Sequence, residues 1–216
     1  MTVFLNDEII KEKIPSFFRF AGEISDCFTV SRRFNGKIPK QILNKINAEL
    51  KEQILLEDTQ RRDKYKKDDK YVRELKQVMQ INSKKQALKY FDDVKKHDLK
   101  AANSGSPSGE CTEFKTDRED FIDVHYSKQS ALSRGYLFEI CKFKKDGQTL
   151  HQITSKMNCI YDRPYTIDDT EFDDIAFYNG NQLKVAISSK ERFCFLDLTN
   201  EEFTNFVKLK LTHELN

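Results

Sequence analysis

The chain has no tryptophan, and only seven glycines and four prolines in 216 residues. With so few glycines, phosphate-cradling loops are not expected. Neither a P-loop, nor a Gly-x-Gly-x-x-Gly fingerprint, nor a Gly-x-Ser-x-Gly elbow occurs. No apolar run approaches the ~20 residues that span a bilayer. Residues Met1 to Glu8 lack the basic n-region and apolar core of a secretory signal, which predicts a cytoplasmic protein with no membrane partner. The five cysteines (Cys27, Cys111, Cys141, Cys159 and Cys194) are odd in number, and none stand in Cys-x-x-Cys spacing. That usage favours free thiols in a reducing compartment over a disulfide framework. Cys141 and Cys194 lie in apolar runs and read as small buried hydrophobes.

What is present is charge. Charged residues make up 33% and hydrophobic residues 38%, with mean hydropathy −0.70, so the sequence describes a soluble, polar protein of one domain or two small ones. Lysine far outnumbers arginine, and Asn and Ile are frequent, a composition associated with AT-rich genomes such as those of low-GC bacteria and their phages.

The hydrophobic pattern predicts an α+β fold. Residues 1–100 read as a mixed β-hairpin plus a helical block, 101–110 as a flexible loop, and 111–216 as an antiparallel β region with a C-terminal helix, as separate regions or one composite domain. The hairpin is expected from the Phe17, Phe18, Phe20 run and the alternating segment Cys27 to Phe34, joined through Ala21-Gly22-Glu23. From Pro39 to Gly105 there is neither Gly nor Pro, which predicts helices. Ile38, Ile42, Leu43, Ile46, Leu50 and Ile54 form a first stripe; Tyr65, Val72, Leu75 and Met79 form a thinner one. A third helix follows the Ser83/Gln86 capping box, burying Ala87, Leu88, Phe91 and Val94. Strands are expected over Phe121 to Tyr126 and Tyr136 to Phe143, returning after Gly147 as Gln148 to Thr154. Phe172 to Tyr178 and Gln182 to Ile187 flank Asn179-Gly180, a hairpin signal. Another strand follows over Arg192 to Leu198. Thr199 and Glu202 form a second capping box, opening a helix with Phe203, Phe206, Val207 and Leu211. Phe138, Phe143, Phe177, Phe193 and Phe195 fall on strands and read as sheet core.

Dividing the chain changes the meaning of its net charge of +2. Residues 1–60 are neutral, residues 61–100 carry +7 and residues 101–216 carry −5. Arg61, Arg62, Lys64, Lys66, Lys67 and Lys70 are the densest basic cluster and would meet nucleic acid or an acidic partner. Asp63, Asp68, Asp69 and Glu74 are interspersed, as on a solvated helix. Asp168, Asp169, Glu171, Asp173 and Asp174 crowd seven positions and would meet a basic partner. Clustered carboxylates also suit a divalent metal, but the EF-hand alternation is missing, and Glu139 and Lys142 lack the Glu-x-Lys spacing of nucleases. No metal or cofactor is expected. His151 reads as mid-strand, and His97 and His213 as lying near helix ends.

Arg118 and His125 are separated by six residues. This spacing resembles the arginine–histidine signature of HEPN ribonucleases, where both residues lie on a helix and polarise the RNA 2′-hydroxyl and scissile phosphate. Here the segment alternates as a strand does. The order of a helical first half and a β-meander closing on Phe172 to Gly180 also looks somewhat like small proteins of bacterial anti-phage defence. The sequence therefore predicts a non-enzymatic protein-interaction factor, of the immunity, defence or counter-defence kind, acting through charged surfaces. A nucleic-acid-binding protein using the basic helices 61–100 is the first alternative, and a metal-dependent nuclease the second.

Overall fold

The computed structural model describes residues 1–5, 9, 11–103, 111–128, 136–162 and 164–215. In chain order the elements are β1 (Thr2–Leu5), α1 (Ile14–Glu23), β2 (Cys27–Phe34), α2 (Lys40–Lys67), α3 (Asp69–Met79), α4 (Lys84–Asn103), β3 (Phe121–Lys128), β4 (Leu137–Lys144), α5 (Gln148–Ser155), β5 (Tyr165–Ile167), β6 (Thr170–Phe172), β7 (Asp174–Asn179), β8 (Gln182–Ser188), β9 (Phe193–Asp197), α6 (Asn200–Val207) and β10 (His213–Leu215). The protein is α+β, with an eight-stranded antiparallel sheet in the order β10-β1-β9-β8-β7-β2-β4-β3. Two compact units are defined: residues 1–33, 113–125 and 139–216, and residues 34–112 and 126–138. The loop expected over 101–110 falls mainly on 104–110, outside the described residues, and 101–103 are the last turn of α4.

In the first unit, strand register sorts the side chains. Val3, Leu196, Val185, Phe177 and Phe28 pair across five strands, as do Leu5, Cys194, Ile187, Ile175 and Val30, and all ten are buried. Alternation places both rows on one face. Phe17, Phe18 and Phe20 of α1, Ile153 of α5 and Phe206 of α6 belong to the same core. Phe18 meets Phe177 at 5.9 Å, Phe20 meets Phe206 at 5.8 Å, and Phe28 stacks on Phe143 at 5.4 Å. Cys141 and Cys194 are wholly buried here, and all five cysteines are free. On the opposite face Phe4, Phe195, Ala186 and Ala176 form a half-exposed row, and Phe193 stacks on Phe195. Phe193 and Phe195 thus lie outside the core that the sequence suggested for them.

Two helices replace expected strands. Residues 14–23 form α1, with no hairpin to β2: Pro15 occupies its first turn, and Ile14, Phe17, Phe18 and Ala21 recur at helical spacing. Residues 148–155 form α5, so His151 is an exposed helical residue. The Asn179-Gly180 hairpin forms, with Gly180 at φ +57, although Phe172 belongs to the separate β5–β6 pair. The Thr199/Glu202 capping box is complete. Glu202 also accepts from Lys184 Nζ at 2.8 Å, which pairs an otherwise buried ammonium.

The second unit is mainly helical. Ile46, Leu50, Ile54 and Asp58 recur every four residues along α2 and are buried. Leu50 and Ile54 pack with Ala102 of α4, while Leu75 of α3 packs with Ala87 and Phe91 of α4. Pro39 is the residue immediately before α2. The box at α4 is displaced by one residue: Ser83 accepts from Gln86 N, but Gln86 accepts from Asn82 N. Lys128, buried, donates to the Ala102 carbonyl at 3.2 Å near the α4 C-terminus, where a cation complements the helix dipole.

Candidate functional site

The acidic cluster is divided among separate tasks. Asp168 and Asp169 make the two-residue turn between β5 and β6, at φ 44 and φ 64, a left-handed backbone that Asp tolerates better than most residues. Asp168 grips Arg118: Nη2 donates at 2.8 Å and Nε at 3.0 and 3.1 Å, while Thr116 Oγ1 donates at 2.6 Å. The Arg118 guanidinium holds the Asp168 carboxyl below its ordinary value. Arg118 also donates to Thr149 Oγ1 at 3.4 Å and to Gln152 Oε1. One guanidinium thereby fastens the β5–β6 turn and the 116–118 loop to α5. Asp174 lies elsewhere: it accepts from Ser189 N at 3.2 Å, and burial pushes its carboxyl up. Asp173 N is bonded to the Ser31 carbonyl, and Asp169 and Glu171 are exposed. Among the described residues, no three His, Cys, Asp or Glu side chains are grouped to hold a metal ion.

Beside Arg118 an open groove of about 630 Å³ is lined by residues that include Asp120, Lys144, Asp146 and Gly147. Its buried carboxylate, Asp120, accepts from Thr149 N at 2.8 Å and Thr149 Oγ1 at 3.0 Å. It therefore caps α5, whose own N-cap, Gly147, has no side chain for the task. A Cβ on Gly147 would stand 1.9 Å from Asp120 Oδ2. Another deep carboxylate, Glu139, is wholly buried, accepting from Arg32 Nε at 2.6 Å and Phe114 N at 2.9 Å. The groove's acid and arginine thus hold the fold together.

Arg118 precedes β3, and His125 is an exposed residue within it. The four residue steps from Phe121 to His125 along the strand already cover about 13 Å. The two side chains do not share a helix face, so the structural context of the ribonuclease signature is missing. The Cys141 and Cys194 thiols are pushed up beyond the reach of neutral pH by burial. His213 packs edge-on against Phe203 and Phe206.

The basic helices divide in a way that density along the chain does not reveal. Arg62 donates from Nε to both oxygens of Asp58 at 3.0 Å and from Nη2 to Asp92 at 2.7 Å, and it lies over the Phe91 ring. Lys66 pairs with Asp63 at 3.0 Å, and Lys64 pairs with Asp68 at 4.0 Å while lying over the Tyr71 ring. Half of the expected cluster is therefore neutralised within the unit. Arg61 is half-buried, and Lys67 and Lys70 are exposed. Farther on, Lys70, Arg73, Lys76, Lys84, Lys85 and Lys89 are all exposed and form no ion pair among the described residues. Over residues 70–89 the only acid is Glu74. Lys84 and Lys85 open α4, where a cation opposes the helix dipole, so they do not stabilise that helix. A sequence signal for this surface existed: Lys76, Lys84 and Lys85 have no acid three or four residues away on either side.

No protein-family model, curated protein or solved structure matches the chain. No helix among the described residues is long and apolar enough to cross a membrane.

Proposed function

We propose that the protein is a non-enzymatic, cytosolic interaction factor of bacterial or phage conflict, an immunity, defence or counter-defence protein that works through its charged surfaces. The observation that carries this reading is the contrast between engaged and unengaged charge. Arg118, Asp120, Asp168, Glu139 and Arg62 are held in ion pairs and caps, while six cations over residues 70–89 are exposed and form no ion pair among the described residues. Unpaired surface charge of one sign accelerates encounter with an opposite surface and selects the partner. The test is co-purification with the product of the adjacent open reading frame, followed by association kinetics. The expected result is a stable complex whose association rate falls steeply with salt. Hydrolysis of RNA or DNA by the purified protein with Mg²⁺ or Mn²⁺, abolished by one polar substitution, would overturn the reading.

The same six cations favour a second reading, a nucleic-acid-binding protein using helices within 61–100. Phosphate contacts would give a linear fall of log affinity with log salt, reduced by neutralising the exposed Lys67, and by neutralising Lys66 only if it releases Asp63. Absence of DNA or RNA binding at low salt ends this alternative.

A further inference from the structure

Resting on the interaction reading above, we infer that residues 70–89, from α3 into α4, dock an acidic amphipathic helix of another protein. Two features coincide there. The first is the set of six exposed, unpaired cations already described. The second is aliphatic surface among them. Tyr71, Val72, Leu75, Val78 and Met79 share one stripe of α3, at the spacings that place residues on a common helix face. Only Leu75 is buried in the cluster with Ala87 and Phe91; Val78 is 76% exposed and Met79 49%. Met79, Val72, Lys76 and Arg73 follow one another in that order around the helix surface, so aliphatic and cationic groups adjoin on that side, while Val78 lies across Leu75 from them, beside Glu74. From Val72 to Met79 the outer edge of the stripe runs about 10 Å along the axis, enough for two turns of a partner helix, while Leu75 at its centre stays in the helical core.

The chemistry of this surface selects its occupant. Carboxylates answer the cations, and leucine-like anchors answer Val78 and Met79; a helix with one apolar stripe and acidic flanks supplies both. A phosphate backbone would use the lysines but leave the two aliphatic side chains in water. A lipid surface would require α3 to turn its apolar stripe outward, whereas Leu75 holds the centre of that stripe in the helical core. Interfacial helices also bury Trp or Phe, and residues 70–89 contain neither.

The experiment uses the full chain and three probes at physiological salt. The first probe is a peptide of about 20 Glu, Ala and Leu residues with leucines at i, i+3, i+4 and i+7 spacing, compared with an isomer whose leucines are spread around the helix. The second is a duplex RNA or DNA of similar length, and the third is phosphatidylglycerol vesicles. The patterned peptide should bind about tenfold tighter than its isomer. Val78→Ser with Met79→Ser should reduce that ratio to about twofold or less while far-UV circular dichroism is unchanged. Lys84→Gln, Lys85→Gln and Lys89→Gln together should weaken both peptides at least about fivefold. Equal binding of the two isomers, or tighter binding of nucleic acid or vesicles than of peptide, overturns the inference. A chain that forms the complex of the preceding section yet ignores the patterned peptide loses this inference and keeps the interaction reading; nuclease turnover removes the reading itself.

Discussion

Replacing Asp58 by Ala would show how far the basic helices depend on their own acids. Asp58 is 5% exposed, and its carboxylate accepts from Arg62 Nε at 3.0 Å on both oxygens and pairs with Lys95 at 3.5 Å. Breaking a buried pair by removing one partner costs about 3–5 kcal/mol when the orphaned charge stays buried. Here the orphans are better placed. The Arg62 side chain is a quarter exposed and keeps Asp92 at 2.7 Å, and Lys95 is a third exposed. The expected loss is therefore about 2 kcal/mol for Asp58→Ala, and about 1 kcal/mol for Asp58→Asn, which keeps an acceptor. The pH dependence follows from the same contacts. Burial alone would raise the Asp58 carboxyl, but Arg62 and Lys95 outweigh it and hold the carboxyl below 3.8. A depressed carboxyl contributes stability that is present above its unfolded value and lost as pH falls through the folded one. The gap between wild type and Asp58→Asn should therefore be full at pH 7 and close in acid. Urea unfolding followed at 222 nm reads both effects, with the helical signal reporting mainly the second unit. A loss under about 0.5 kcal/mol, or a gap unchanged between pH 7 and pH 2, would refute the argument.

Other substitutions probe the first unit. Gly147→Ala should destabilise by about 1–3 kcal/mol in thermal or urea unfolding, because the added methyl collides with the Asp120 carboxylate that caps α5; wild-type stability would contradict this. Asp174→Asn should be at least as stable as wild type at pH 7. Its raised carboxyl makes ionisation in the folded state costly, so stability from this group falls as pH rises from 3.8 through the folded value, and Asn removes that fall while still accepting from Ser189. A pH titration of stability in which the variant is less stable at pH 7 than at pH 3.5, relative to wild type, would reverse the assignment. Thr199→Ala should cost about 1 kcal/mol through loss of the α6 cap, read by chemical denaturation.

Local signals were readable wherever their partners are local. Asn179-Gly180 closes its hairpin with residues that flank it, and Thr199 and Glu202 cap a helix within four residues. The α2 stripe, repeating every four residues, needs only its own periodicity. Helix α5 was misread because its cap is supplied by Asp120, far upstream, and Gly147 looked like a hairpin turn. Helix α1 was misread because three phenylalanines suggested a strand, while Pro15 marked a helix start. The short strand β10 acquires its identity only by pairing with β1 at the other end of the chain. The candidate surfaces follow the same logic. Charge density pointed to 61–70, but density there includes the acids that neutralise it, whereas Lys76, Lys84 and Lys85 within 70–89 have no acid at helical spacing.

The most direct measurement compares two neutralised variants side by side, titrating each with the patterned acidic peptide and melting each alone. Lys84→Gln, Lys85→Gln and Lys89→Gln should weaken binding at least about fivefold and leave the melting temperature within about 2 °C of wild type, because these lysines form no ion pair among the described residues. Arg62→Gln, Lys64→Gln and Lys66→Gln should lower the melting temperature by several degrees, about 4 °C or more, and change binding less than about twofold, because their charge is already answered by Asp58, Asp92, Asp68 and Asp63. The opposite pattern, binding lost with residues 62–66 and stability lost with residues 84–89, would contradict the account.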